Sequence, residues 1–421
     1  MSGNAAPPRV VIVGGGFAGV AAAQGLRNAP VSVTLLDRRN HHVFQPLLYQ
    51  VATSILAPGD VATPIRNLVR KQHNATVAMI EVTGVDTEKR QILVDYLDQG
   101  EQPFAYDYLI LATGVDQSYF GHDEFAAFAP GLKSIDDAIS VRSKVLRAFE
   151  TAELERDPSK HRDLLTFILV GGGPTGVELA GALAEMMRTT LKSDFRRIDP
   201  TSARIVLVEG SPRILASFSE DLSRRAHQRL THMGVEIRTG AHVERVDAEG
   251  VLVAGERIAS RTVIWTAGVA PSPAGKWLAT ATDHAGRVRV QPDLTVPGRP
   301  EIFVVGDTAS LDQDGRPLPG VAQVALQQGQ YAAKVIANRL AGRPALPPFR
   351  YFDKGNMAVI GRNFAILESG RVRLAGFVAW VAWSAVHLAF LPLAGNRLMV
   401  YLRWAWTYVT KQRGSRLILG K

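Results

Sequence analysis

Residues 9–27 read RVVIVGGGFAGVAAAQGLR. The first part is an apolar run of the length of a buried strand. A glycine turn follows, then an alanine-rich run suited to a helix. Gly14, Gly16 and Gly19 are spaced as GxGxxG, and the next apolar run, VSVTLLD, ends on an acid, Asp37, 23 residues after Gly14. A phosphate-binding turn requires this strand–turn–helix context. The first glycine makes the tight turn, the second lets the backbone approach a pyrophosphate, and the third lets helix and strand pack closely. The helix N-terminus adds free N–H groups and its dipole. Asp37 is placed to accept a hydrogen bond from a ribose hydroxyl.

The same grammar returns in LTFILVGGGPTGVELAGALAEMM, residues 165–187, with Gly171, Gly173 and Gly176. Its acid, Glu209, closes ARIVLVE 38 residues after Gly171. The delay is LAEMMRTTLKSDFRRIDP, read as a helical insertion. A carboxylate at this position binds a ribose diol and repels a 2′-phosphate, which favours NADH over NADPH. Arg213 is near enough in sequence to soften that preference. YDYLILATG and RTVIWTAGV are further β-runs that close on Gly114 and Gly268, and PEIFVVGDTA reaches Gly306 and Asp307. Alternating strands and helices predict buried, mostly parallel sheets. The fold class is α/β, with two Rossmann-like dinucleotide-binding domains. ERDPSKHRD, VPGRPE and AGRPALPPF are the candidate boundaries.

A chain of 421 residues is long enough for two or three domains. There is no cysteine, which excludes disulfides, thiolate metal sites, iron–sulfur clusters and dithiol relays. No metal site is expected: His41 and His42 are adjacent, so in a strand they face opposite ways. MSGNAAPPRV lacks the basic-then-apolar order of a secretory signal. The net charge is +9, and the last acidic residue is Glu368. Arg371, Arg373, Arg397, Arg403, Lys411, Arg413, Arg416 and Lys421 all follow it, together with four of the six tryptophans.

Three readings of that tail compete. Leu374 to Leu391 is 18 uncharged residues, just under the roughly twenty that a helix needs to span a bilayer. Gly376, Ala379, Ala382, Ala385 and Ala389 could instead pack a core or dimer helix. In the third reading the tail lies on the membrane, and the next segment favours it. Asn396, Arg403, Thr407 and Lys411 share one helical stripe, while Leu398, Tyr401, Leu402 and Trp404 crowd other faces. A cationic polar side opposite a Trp-rich apolar face marks an interfacial helix, and each juxtamembrane Lys or Arg adds about 1 kcal/mol on an anionic surface. So apolar a tail is unsuited to nucleic acid.

These residues resemble the two-dinucleotide-domain flavoprotein reductases and, more narrowly, the type II NADH:quinone oxidoreductases. The match rests on HHVFQPLLYQVATSILAPGDVATPIR, GGGPTGVELAGALAE, VAQVALQQGQYAA, DKGNMAVIGR and the tail, and covers nearly the whole chain. It implies a glutathione-reductase-like fold. An FAD-binding domain is formed by 1–120 and 296–360, an NADH-binding domain by 121–295, and an amphipathic helical, membrane-anchoring region by 361–421. FAD would lie on Gly14, Gly15, Gly16, Phe17, Ala18, Gly19, Asp37, Arg38, Val82, Thr113, Gly114, Gly306, Asp307, Gln323 and Ala325. NADH would lie on Gly171, Gly173, Gly176, Glu178, Glu209 and Gly268.

By the same resemblance Glu178 lies near the nicotinamide–flavin junction. Gln323 and Gln327, four apart on one helix face, close the quinone site. The implied protein is a non-proton-pumping NADH:quinone oxidoreductase of respiratory electron transport. It would be a homodimer, held peripherally on the phospholipid surface at the cytoplasmic face of a bacterial membrane. Two other functions stay open: a soluble NAD(P)H-dependent reductase of a protein acceptor such as a ferredoxin, and a non-catalytic NADH-sensing flavoprotein. Without cysteines the chain can neither reduce disulfides nor oxidise sulfide by thiol chemistry.

Overall fold

Arg9–Val13 is a central strand, with Val10, Val11 and Ile12 fully shielded from solvent. The structure is a computed structural model that describes residues 6–95 and 100–419. The chain divides into two units. The first contains residues 1–42, 63–116 and 270–353, and the second contains 43–62, 117–269 and 354–421. Residues 270–295 therefore fall in the first unit. Residues 43–62 and the whole tail fall in the second, so the tail is not a body of its own.

In the first unit the main sheet runs Thr295–Val296, Arg299–Val304, Tyr108–Leu111, Arg9–Val13, Ser32–Asp37, Ala75–Met79. All pairings except the first are parallel. In the second unit it runs Val235–Thr239, Arg204–Glu209, Thr166–Val170, Thr262–Trp265, all parallel. Each unit also inserts a three-stranded antiparallel meander before its return strand. These are Glu81–Asp86, Gln91–Asp95 and Glu101–Ala105 in one unit, and Val243–Asp247, Gly250–Val253 and Glu256–Ala259 in the other.

The duplication extends to single hydrogen bonds. The Gly14 N–H donates to Leu36 O at 2.7 Å and the Gly171 N–H to Val208 O at 2.8 Å. The Ala112 N–H donates to Val13 O and the Thr266 N–H to Val170 O, each at 2.8 Å.

The glycine turns lead into helices Phe17–Gly25 and Pro174–Glu185. In the first unit, helix Ala322–Leu340 lies so close to Phe17–Gly25 that a Cβ on Gly329 would strike the Ala18 carbonyl. The stretch read as a helical insertion is helical only as far as Thr190, apart from a short turn at Pro200–Ser202.

The 18 uncharged tail residues do not make one helix. Val372–Gly376 is a strand, paired with Ala365–Ser369, and the helix is Phe377–Phe390. At 1.5 Å per residue those 14 residues reach about 21 Å. Among the described residues no helix is long and apolar enough to cross a membrane. Helix Ala394–Thr410 follows. Of its expected polar stripe, Asn396, Arg403 and Thr407 face the protein, while Lys411 is exposed. The Asn396 amide donates to Gly59 O and Asp60 O at 2.9 and 3.0 Å, and Arg403 pairs with Asp60 at 2.6 Å. The opposite face exposes Leu398, Leu402, Trp406 and Val409.

Candidate functional site

The first site is built at the carboxyl ends of the first unit's strands, where the order reverses between Arg9–Val13 and Tyr108–Leu111. Doubly wound sheets bind their ligands at such a switch point. Asp37 closes the glycine turn, its Oδ2 accepting the Gly15 N–H at 2.6 Å and its Oδ1 the Arg39 N–H at 2.7 Å. At Gly16, the helix N-cap, no side chain caps the helix, and an added Cβ would meet nothing within 4 Å. An open cradle with uncapped helix N–H groups fits a dinucleotide pyrophosphate.

Of the other residues assigned to this site, Gly306, Ala18 and Ala325 are brought together: a Cβ on Gly306 would lie 3.4 and 3.5 Å from the other two β-carbons. Thr113 Oγ1 and Thr308 Oγ1 lie 3.2 Å apart, and the Thr308 hydroxyl donates to Gly114 O. Asp307 lies against Gly320. Arg38 pairs with Asp116 at 2.9 Å, Phe17 packs on His42, and Val82 is buried in the core beneath the sheet.

His42 was not singled out as a site residue. It is buried, with Nδ1 3.0 Å from Gly15 O and its ring edge-on to Phe17. Burial pushes its pKa down, so a neutral imidazole braces the turn. His41 instead meets Asn40. Among the described residues no three His, Asp or Glu side chains gather as metal ligands.

Gln327 and Gln328, neighbours in helix Ala322–Leu340, have different partners. Gln328 is buried, and its Oε1 accepts the Gly306 N–H at 2.7 Å. Gln327 is tied to one backbone: Nε2 donates to Phe352 O at 3.0 Å and Oε1 accepts the Phe352 N–H at 2.9 Å. Gln323 shares its helix face. The i, i+4 spacing identified the face, but only the packing against Gly306 singles out Gln328.

The second unit repeats the first site. Glu209 Oε2 accepts the Gly172 N–H at 2.5 Å and Oε1 accepts the Ser211 N–H at 2.7 Å. Gly173 is open, and Gly176 packs on the Gly171 carbonyl. Arg213 turns its guanidinium onto Phe218 O at 2.7 Å and Ala216 O at 2.9 Å. That leaves little of it to meet a 2′-phosphate.

A cavity of about 90 Å³ lies in the same unit. Helix Leu48–Ala52 contributes Tyr49 and Gln50, helix Pro174–Glu185 contributes Glu178, and the tail contributes Trp380, Trp383, Trp404 and Tyr408. Trp404 Nε1–H donates to Gln50 Oε1 at 2.7 Å, and the Gln50 amide donates to Tyr49 Oη at 2.8 Å. Buried Tyr49 has its pKa raised by desolvation, and then by Glu178. His387 stacks on Trp383 and bonds Trp383 O; burial lowers its pKa to about 4, which keeps it neutral.

Glu178 is buried, and its Oε1 accepts the Val359 N–H at 3.2 Å. Desolvation pushes its pKa up to about 8, against 4.5 for a free side chain. The Trp383 indole is near enough to draw it partly back, but forms no hydrogen bond of normal geometry. Between pH 4.5 and 8 the native state holds a proton that the unfolded chain has released, so this group's contribution to stability falls as pH rises through that window. Glu178→Gln should remove the slope. Relative to the native protein the variant should gain on the order of 5 °C in melting temperature between pH 5 and pH 9. A constant offset at both pH values in thermal denaturation would refute a buried neutral acid.

The sequence pattern described as "Pyridine nucleotide-disulphide oxidoreductase" matches residues 8–329. The type II NADH:quinone oxidoreductase Ndh of Mycobacterium tuberculosis is 46% identical, over 99% of this chain and 92% of that protein. NdhA of the same organism is 43% identical, over 97% and 89%. The structure of NDH2 from Plasmodium falciparum in complex with NADH matches with a TM-score of 0.89 over 98% of this chain and 100% of that one. At 20% identity this last likeness establishes the fold. The chain belongs to the pyridine nucleotide-disulphide oxidoreductase family and, within it, to the type II NADH:quinone oxidoreductases.

Proposed function

We propose that the protein is an FAD-dependent NADH:quinone oxidoreductase working at a membrane surface, with FAD on the first glycine turn and NADH on the second. The observation that carries this reading is the pair of equivalent turns, each closed by its own carboxylate, Asp37 in one and Glu209 in the other. Bound flavin would supply a two-electron acceptor for hydride and a donor to quinone. The chain supplies the rest. Backbone N–H groups of Gly14–Gly19 and Gly171–Gly176 hold the pyrophosphates. Asp37 and Glu209 hold the riboses, and the commitment of Arg213 to backbone carbonyls leaves NADH preferred over NADPH. The tryptophan-lined cavity is the quinone's route. Glu178, neutral at pH 7, holds on its carboxyl a proton of the kind that a reduced quinone takes up. Gln323 and Gln327 close the quinone site, Gln327 through its hold on the Phe352 backbone.

Membrane contact follows from the tail. Phe377, Val378, Val381, Leu398, Leu402, Trp406 and Val409 are exposed, while most of the tail's arginines have partners within the protein. Arg373 pairs with Glu368, Arg403 with Asp60 and Arg416 with Asp194, Arg397 bonds Leu391 O, and Arg413 is buried. Apolar insertion is the main hold on the bilayer, with the exposed Arg371, Arg397 and Lys411 beside it. A homodimer on the cytoplasmic face of a bacterial membrane fits this reading.

Truncating the tail is a poor test, because Trp383 and Trp404 wall the cavity that holds Glu178. Replacing Leu398, Leu402, Trp406 and Val409 together by glutamine leaves the inward face intact. That variant should keep its flavin and reduce a short soluble quinone normally. With a long-tailed quinone in phospholipid vesicles its turnover should fall by about tenfold or more. Unchanged turnover in vesicles would sink the membrane-surface account.

A further inference from the structure

Phe120 stands out in the second unit. The residue is 67% exposed and its φ is +55°, a left-handed conformation that a bulky side chain rarely adopts. Two contacts hold it there. Its N–H donates to Ser118 Oγ at 3.2 Å, and the ring lies over Gly268, so near that a Cβ on that glycine would stand 2.5 Å from Phe120 Cζ. Gly268, at φ +70°, has no side chain to push the ring away. Beneath, Trp265 lies 6.5 Å from the ring, centroid to centroid.

The topology says what this ring faces. The chain leaves Thr166–Val170 for Arg204–Glu209 on one side of it and returns as Thr262–Trp265 on the other. A dinucleotide lies across the carboxyl ends of those strands. Glu209 marks the adenosine ribose, and Gly171–Gly176 mark the pyrophosphate. The remaining half has to run toward the third strand's end, where Thr266 and Ala267 abut the Gly171 turn and Gly268 follows them in the chain.

We infer that Phe120 is the aromatic cover of the nicotinamide-riboside half of the bound nucleotide, held ready by its left-handed backbone. The inference rests on NADH occupying the second glycine turn. An exposed aromatic face can stack on the flat nicotinamide ring, and a preset backbone spares the cost of ordering the side chain on binding.

The test uses the flavin-loaded full chain and measures binding of NAD⁺ and of ADP by calorimetry. ADP carries the adenosine and pyrophosphate but lacks the nicotinamide riboside. Phe120→Gly, which accepts the positive φ, should weaken NAD⁺ by about three- to tenfold and leave ADP unchanged. Phe120→Tyr should bind both as the native protein does. Unchanged NAD⁺ affinity in Phe120→Gly would overturn the inference, as would equal loss of NAD⁺ and ADP. If the native protein bound neither nucleotide, the assignment of NADH to the second turn would fail instead.

Discussion

Replacing Gly14 by alanine should yield protein without bound flavin. Replacing Gly171 by alanine should yield yellow protein that NADH no longer bleaches. Both glycines have φ beyond the ordinary left-handed region, +106° and +111°, so any side chain there is strained. Both also face backbone that cannot swing aside. A Cβ on Gly14 would run into the Ala112 carbonyl, and one on Gly171 would stand 2.7 Å from Ala267 N. Strain of this kind costs about 1–3 kcal/mol before the clash is counted, and it falls on the turn that each pyrophosphate must meet. Flavin content of purified Gly14→Ala should drop at least about tenfold. The rate at which NADH bleaches Gly171→Ala should drop as far. Visible absorbance and rapid-mixing reduction read the two separately. If Gly14→Ala stayed yellow while losing its reduction by NADH, the two nucleotides would have to exchange places.

The glycine turns were legible because their signal is local. Strand, glycines, helix and acid lie within some forty residues, and the same physics acts on each copy. The carboxylate of Glu209 was recognisable in spite of its delay because IVLVE still read as the paired strand. The tail was legible in composition but not in orientation. Helical periodicity placed Asn396, Arg403, Thr407 and Lys411 on one stripe, yet periodicity does not say whether a polar stripe meets water or a protein surface. Here it meets Asp60 and the carbonyls near it, which come from more than three hundred residues away. The partners of the positive charges were hidden for the same reason: Asp60 and Asp194, which pair with Arg403 and Arg416, lie far upstream, beyond any local reading. Gln328 was passed over for Gln323 and Gln327 because spacing picks out a face, while only tertiary packing shows which amide reaches Gly306.

Arg413→Ala should lower the melting temperature by about 10 °C. Arg413 is 2% exposed. Its Nη1 donates to Thr53 O at 2.8 Å, just past helix Leu48–Ala52, and its Nη2 donates to Ala182 O at 3.0 Å, one turn beyond Glu178. Glu185 lies 3.7 Å away. Burial lowers the guanidinium pKa only to about 10, so the group is charged at neutral pH. Removing one partner from a buried charged cluster costs about 3–5 kcal/mol, because what is left behind is desolvated and unpaired. In a unit of this size each kcal/mol shifts melting by about 2–4 °C. Arg413→Met fills the space without the charge and should lose less than the alanine variant, since apolar replacement of buried ions is often tolerated. The loss should also loosen the end of the chain, which Arg413 ties to the helix carrying Glu178. Limited proteolysis should then cut within residues 411–419 at least about tenfold faster in Arg413→Ala than in the native protein. A melting temperature within about 2 °C of native, with the end still protected, would mean that the tail is held by its apolar face alone.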